Sequence, residues 1–134
     1  MIKIKNLNLA GELVKKYFRE FFPKNFSAKY IQALPEIEQC IEFKISDGSR
    51  IETWSARKQN GELKIQEKST PDARCTYLMN QQTFLNITGG LQSPQTAYFC
   101  NKLSISGDIL FALQIGALLE VFFREHPYAA HAQN

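Results

Sequence analysis

Residues Ser93 to Phe123 read SPQTAYFCNKLSISGDILFALQIGALLEVFF, and the fold of the chain turns on this stretch. Ser93-Pro94 is a helix start, a capping hydroxyl followed by a proline at the first helical position. In KLSIS, Leu103 and Ile105 point one way, as in a short strand. Gly107-Asp108 then turns into an apolar segment, with Asp108 as the N-cap of a final helix that Pro127 helps to end. On a helical wheel Gln114, Glu120 and Arg124 gather into no single polar stripe, so apolar side chains cover nearly the full circumference. A helix packed on one side and washed by water on the other does not show this pattern. Three arrangements account for it: the helix is sandwiched between other elements, it forms a dimer, or one face lines an apolar cavity. From Ile109 to Phe123 it spans about 22 Å at ~1.5 Å per residue. A bilayer core needs about 30 Å, so a buried helix is expected rather than a membrane span.

Working towards the N-terminus, Asn80 reads as the N-cap of a short helix with Phe84 and Ile87 on one side, stopped by Gly89-Gly90. Before it the period is that of strands. Ile41, Phe43 and Ile45 alternate with Glu42 and Lys44. Asp47-Gly48 and Asn60-Gly61 are hairpin signals. Trp54 and Ala56 share one face of the second strand, and Ile51, Thr53 and Ser55 the other. Leu63 and Ile65 belong to a third strand, and Ala73, Cys75, Tyr77 and Met79 to a fourth after the Pro71-Asp72 turn. These four strands are expected to follow one another as an antiparallel meander. Residues 8–22 predict an amphipathic helix, with Ala10, Val14, Tyr17, Phe18 and Phe21 opposite Glu12, Lys15, Lys16 and Arg19, ended by Pro23. FSAKYIQAL predicts a second short helix capped by Ser27.

The 134 residues fit one domain, 1–134, with an N-terminal helical segment 1–35 and a frayed tail 128–134. Hydrophobic content of 44% against 22% charged is globular, and a net charge of +3 is too small to indicate nucleic acid. The basic side chains Lys3, Lys5, Lys15, Lys16, Arg19, Lys24 and Lys29 read as a solvated helix face or as a contact with anionic membrane. No aromatic residues interleave with them as a stacking platform for nucleic acid needs. Cys40, Cys75 and Cys100 are odd in number and widely spaced, which fits reduced thiols of a cytoplasmic protein. The N-terminus has no uninterrupted apolar signal region. His126 and His131 have no Ser, Cys or carboxylate at a catalytic spacing. No cluster has metal-ligand spacing, and TGGL lacks the context of a phosphate loop. The pattern therefore predicts no enzyme, no cofactor and no metal.

GGLQSPQTAYFCNKLSISGDILFALQI resembles the C-terminal half of the sterol carrier protein type-2 domain. The matching residues are Gly89 or Gly90, Pro94, Ala97, Tyr98, Phe99, Lys102, Leu103, Ile105, Gly107, Asp108 and Leu113. DARCTYLMNQQTFLNI is similar to that family's strand-then-helix lead-in, so the correspondence covers about residues 72–115. The resemblance implies an α+β fold: a five-stranded, mainly antiparallel sheet with helices over one face, enclosing an apolar tunnel for lipids or acyl chains. ALLEVFFREHPY is similar to the bacterial subgroup of ubiquinone-synthesis accessory proteins, which implies a polyprenyl ligand. The chain ends in Ala132-Gln133-Asn134 rather than a peroxisomal address, which also fits the cytoplasm.

The expected function is non-catalytic binding of a lipid or isoprenoid. Phe84, Ile87, Phe99, Ile105, Leu110, Leu113, Ala117, Leu118 and Phe122 are the expected ligand-binding residues. The expected partners are the lipid, an anionic membrane surface, and a second copy or a lipid-synthesis protein. The alternative is an interaction module that uses the apolar final helix. An isomerase or lyase for an apolar substrate lacks candidate catalytic groups.

Overall fold

The computed structural model describes residues 7–36 and 39–128. Helix α1 spans Leu7–Lys16, a π-helical turn follows at Tyr17–Phe21, and α2 (Phe22–Asn25) and α3 (Ala28–Ala33) complete the N-terminal layer. Strands β1 (Ile41–Ser46), β2 (Ile51–Gln59), β3 (Glu62–Gln66) and β4 (Cys75–Asn80) precede α4 (Gln81–Thr88) and α5 (Pro94–Phe99). Strand β5 (Leu103–Gly107) and helix α6 (Ile109–Glu125) end the fold.

The five strands lie in the order β3-β2-β1-β4-β5. The expected meander holds only for β1, β2 and β3. After β3 the chain crosses back, and β4 pairs with β1 in parallel, with Phe43 opposite Tyr77. Strand β5 then pairs with β4 antiparallel. Alternation of side chains fixes the face of a strand but not its neighbour, so β4 read equally well beside β3. The crossing segment 67–74 makes the difference. Its Ser69 hydroxyl and Thr70 amide both donate to the Glu42 carboxylate on β1, and Thr76 Oγ1 also lies within hydrogen-bonding distance of it. Glu42 is buried as a result, although its position on the strand's polar face suggested solvent.

Phe43, Trp54, Ala56, Leu63, Ile65, Tyr77, Met79 and Leu103 face the helical layer, where rings pack on rings. Phe18 stacks on Trp54 at 4.8 Å, and Phe43 on Tyr77 at 5.4 Å. Phe122 of α6 meets Phe22 and Phe26 edge-on. Tyr77 Oη donates to the Ala112 carbonyl at 2.6 Å and ties α6 to the sheet.

Three expected caps are formed. Asn80 Oδ1, Ser93 Oγ and Asp108 Oδ1 accept from the amides of Thr83, Thr96 and Phe111. Ser27 makes no side-chain capping bond, and α3 starts instead with its carbonyl accepting from Tyr30 and Ile31. Pro23 does not end the first helix. The chain widens to a π turn just before it, and α2 runs on through Asn25 with Pro23 in its first turn. A proline there lacks only an N–H that a new helical start leaves unpaired in any case.

Candidate lipid-binding site

An apolar cleft of about 410 Å³ opens where the N-terminal layer meets the β2–β3 edge. Phe18, Pro23, Phe26, Ile31, Trp54, Leu63 and Ile65 line it, with Arg19 at its rim. Its origin is local. Strand β3 is a five-residue edge strand, and the segments above it, α2 and α3, have four and six residues. They are too short to cover the inward side chains of β3, so Leu63 and Ile65 remain half-buried.

The rim is charged but internally paired. Arg19 and Lys15 converge on Glu67 at 2.8 and 2.9 Å, and Lys15 also meets Glu52 at 3.5 Å. The hydrogen bond from Lys15, and then Arg19, hold the Glu67 carboxyl below its ordinary range. The guanidinium of Arg19 lies 5.7 Å from the centre of the Trp54 ring. Trp54 Nε1 in turn donates to the Glu52 carboxylate. Of the expected basic face, Lys29 pairs with Glu125 at 3.3 Å, while Lys3 and Lys5 lie outside the described residues.

The nine residues expected at the site divide into three sets. Phe84, Ile87 and Phe122 are core, the last fully enclosed. Ile105, Leu113 and Leu118 are half-buried. Phe99, Leu110 and Ala117 face outwards, Phe99 being 76% and Leu110 69% exposed. None of the nine lines the cleft. Helix α6 buries Phe111, Ala112, Ile115, Leu119 and Phe122 and presents Leu110, Ala117 and Val121 to solvent. The cleft residues that sequence reasoning missed carried a usable signal. Leu63 and Ile65 alternate on a strand for which no long helix was available as cover.

Tyr128 is buried and bonded through Oη to the Leu13 carbonyl at 2.9 Å, whereas 129–134 of the expected tail lie outside the described residues. His126 lies beside the rings of Tyr30 and Phe122, and His131 is also outside. No helix among the described residues is long and apolar enough to cross a membrane.

A mixed five-stranded sheet, helices stacked on one face, and an apolar cleft into the aromatic layer between them define a small α+β architecture with an apolar concavity at the edge of its sheet. Residues 19–120 match the SCP-2 sterol transfer family, and the chain belongs to that family. Chicken (Gallus gallus) sterol carrier protein 2 is 34% identical over 86 residues, a match covering 63% of this chain and 16% of the chicken protein. The human protein is 31% identical over the same length, again across only 16% of its own chain. Among solved structures, palmitated SCP2L2 from Aedes aegypti superposes with a TM-score of 0.63 at 17% identity. That likeness covers 77% of this chain and 91% of the other, and at such identity it establishes the fold alone.

Proposed function

We propose that this chain binds a lipid without transforming it, taking the acyl or polyprenyl tail through the β2–β3 cleft into a tunnel between helices and sheet. The observation that carries this reading is the cleft itself. Apolar side chains line it at an edge strand, directly over the stacked rings of Phe18 and Trp54. Exposed apolar concavities of this kind are the usual form of small-molecule sites. Family membership and the palmitate of the Aedes protein support the same ligand class. Polyprenylated intermediates of ubiquinone synthesis enter as cargo on the likeness of ALLEVFFREHPY alone. A cytoplasmic location fits the three free thiols. Loading at an anionic membrane fits Lys16 and Lys24, which are exposed beside the paired rim.

Trp54 is the chain's single tryptophan and lines the cleft, so its emission reports occupancy directly. Organic extraction of the purified protein is expected to release bound lipid. Palmitate added to the extracted protein is expected to shift Trp54 emission in a saturable way. An empty extract together with an emission insensitive to palmitate would refute the reading.

A second reading has its own observation. Leu110, Val121 and Phe99 leave apolar surface on and beside α6 uncovered. This favours an interaction module, with a dimer in sedimentation as its mark.

A further inference from the structure

Four tyrosines are buried, and three of them have partnered hydroxyls. Tyr77 donates to the Ala112 carbonyl, Tyr128 to the Leu13 carbonyl, and Tyr30 to the Glu125 carboxylate. Tyr17, only 2% exposed, has no hydrogen-bond partner for its hydroxyl among the described residues. An unpaired buried hydroxyl is costly, and phenylalanine would fill the same space without it.

The surroundings of Tyr17 are rings. Phe21, Phe84 and Tyr128 have centroids at 5.3, 5.3 and 4.9 Å, and Phe18 and Phe22 at 5.8 and 5.9 Å. No lysine or arginine belongs to this ring set. Two of its members lead to the cleft. Phe18 lines it, and Phe22 stacks at 4.5 Å on Phe26, which also lines it. The Tyr17 ring is thus one ring contact removed from the cleft lining. Tyr17 and Phe18 are moreover the first residues of the π turn, a distortion that often accompanies functional sites.

We infer that the Tyr17 hydroxyl is the polar anchor of the lipid site and selects a lipid that ends in one uncharged oxygen, an alcohol or a ketone or quinone carbonyl. The inference rests on the lipid-binding reading above. The terminal oxygen passes the Phe18–Phe22 layer as those rings turn aside. The phenol donates to a carbonyl or accepts from an alcohol, and the tail trails back into the cleft. An ionised carboxylate is excluded from this position, because burying it among rings without a cation costs more than one hydrogen bond returns. A fatty acid instead keeps its carboxylate at the rim, beside Arg19.

The test is Tyr17→Phe, which removes one atom, titrated through Trp54 emission with hexadecanol and, separately, palmitate at pH 8. Hexadecanol is expected to bind about tenfold more weakly to the variant, the loss typical of one buried hydrogen bond. Palmitate is expected to change less than twofold, and the ligand-free variant to melt at the wild-type temperature or above. Equal hexadecanol affinity in both proteins overturns the anchor, since the hydroxyl is then served by a buried water or by nothing. Equal weakening of both probes overturns it too, because the residue then acts through packing. A variant that does not fold leaves the infrared carbonyl stretch of an isotope-labelled long-chain methyl ketone on the wild-type protein. A shift to lower frequency on binding supports the anchor, and an unshifted stretch overturns it. Wild-type protein that binds neither hexadecanol nor palmitate refutes the lipid-binding reading itself, whereas binding without the contrast refutes only the anchor.

Discussion

Replacing Gly107 by alanine tests how α6 is held against the sheet. Gly107 ends β5 opposite Cys75 and has a φ of +85°, where an L side chain is strained. A Cβ built there would sit 2.5 Å from the Arg74 carbonyl oxygen and 3.1 Å from the Cys75 Cα, both main-chain atoms that cannot swing away. The Arg74 carbonyl also accepts from the Asp108 amide at 2.9 Å, so moving it loosens the residue that caps α6. The backbone conformation costs roughly 1–2 kcal/mol. Relief of the clash adds about one lost hydrogen bond, roughly 1 kcal/mol. The total is about 2–3 kcal/mol. For a chain of 134 residues, 1 kcal/mol is worth about 3–4 °C, so a fall of about 10 °C in the melting temperature is expected. Gly48→Ala is the control, because its φ of +100° carries the strain while nothing lies within 4 Å of the added Cβ. It should lose about half as much. Palmitate uptake well below the transition should survive in both variants, since neither position touches the cleft. Calorimetry that finds Gly107→Ala no worse than Gly48→Ala would refute the close-approach account of this corner.

The Glu67 carboxyl is held below its ordinary range, so its contribution is present above about pH 4.5 and is lost as pH falls through the lowered value. Being about a third exposed, it should follow surface pairs, with Glu67→Gln lowering the melting temperature by no more than about 3 °C at pH 7 and low salt. That difference should shrink in 1 M salt or below pH 4, and a larger or salt-insensitive loss would show that Glu67 is structural. Burial pushes the Cys75 thiol up to about 11, and Cys40 is also buried whereas Cys100 is exposed. A thiol reagent at pH 8 should therefore modify Cys100 rapidly and the other two only with unfolding; two fast thiols by mass spectrometry would contradict the burial of Cys40 and Cys75.

Much of the fold was legible because local chemistry agreed with tertiary need. Asn80, Ser93 and Asp108 each stand where the chain enters a helix from extended backbone, and each side chain reaches the amide three residues on. The Trp54 and Ala56 face of β2 was separable from Ile51, Thr53 and Ser55, though only the fold shows that the tryptophan face is the inner one. The failures came where a long-range partner decided. Pro23 is a helix breaker in isolation, but here a π turn absorbs it. The pairing of β4 with β1 depends on the crossing segment and on Glu42, residues that read as polar surface. On α6 the wheel showed apolar residues on every side, so composition could not distinguish Phe122, packed on Phe22 and Phe26, from Leu110, which faces solvent.

That distribution bears on how a lipid would enter. The wall of α6 facing the sheet is fixed by Tyr77, by the Asp108 cap and by the Phe111 ring beneath Arg74, so it is a poor place to open. The β2–β3 edge is held by less. Over the cleft lie the contacts of one guanidinium, Arg19 near Trp54 and its ion pair to Glu67, each worth at most about 1 kcal/mol at an exposed rim. Beneath them Phe18 is stacked on Trp54 and touches Phe43 and Phe84, and turning it aside forfeits several ring contacts at once. Entry therefore divides into a cheap step at the rim and a costly one at Phe18. The apolar tail that would repay the second step is the same group that the first step admits. On the proposed reading, a ligand with a short tail reaches the cleft but gains too little buried area to displace the ring, so tail length sets whether the ring turns aside, and the charge of the terminal group sets whether that end can pass beyond it.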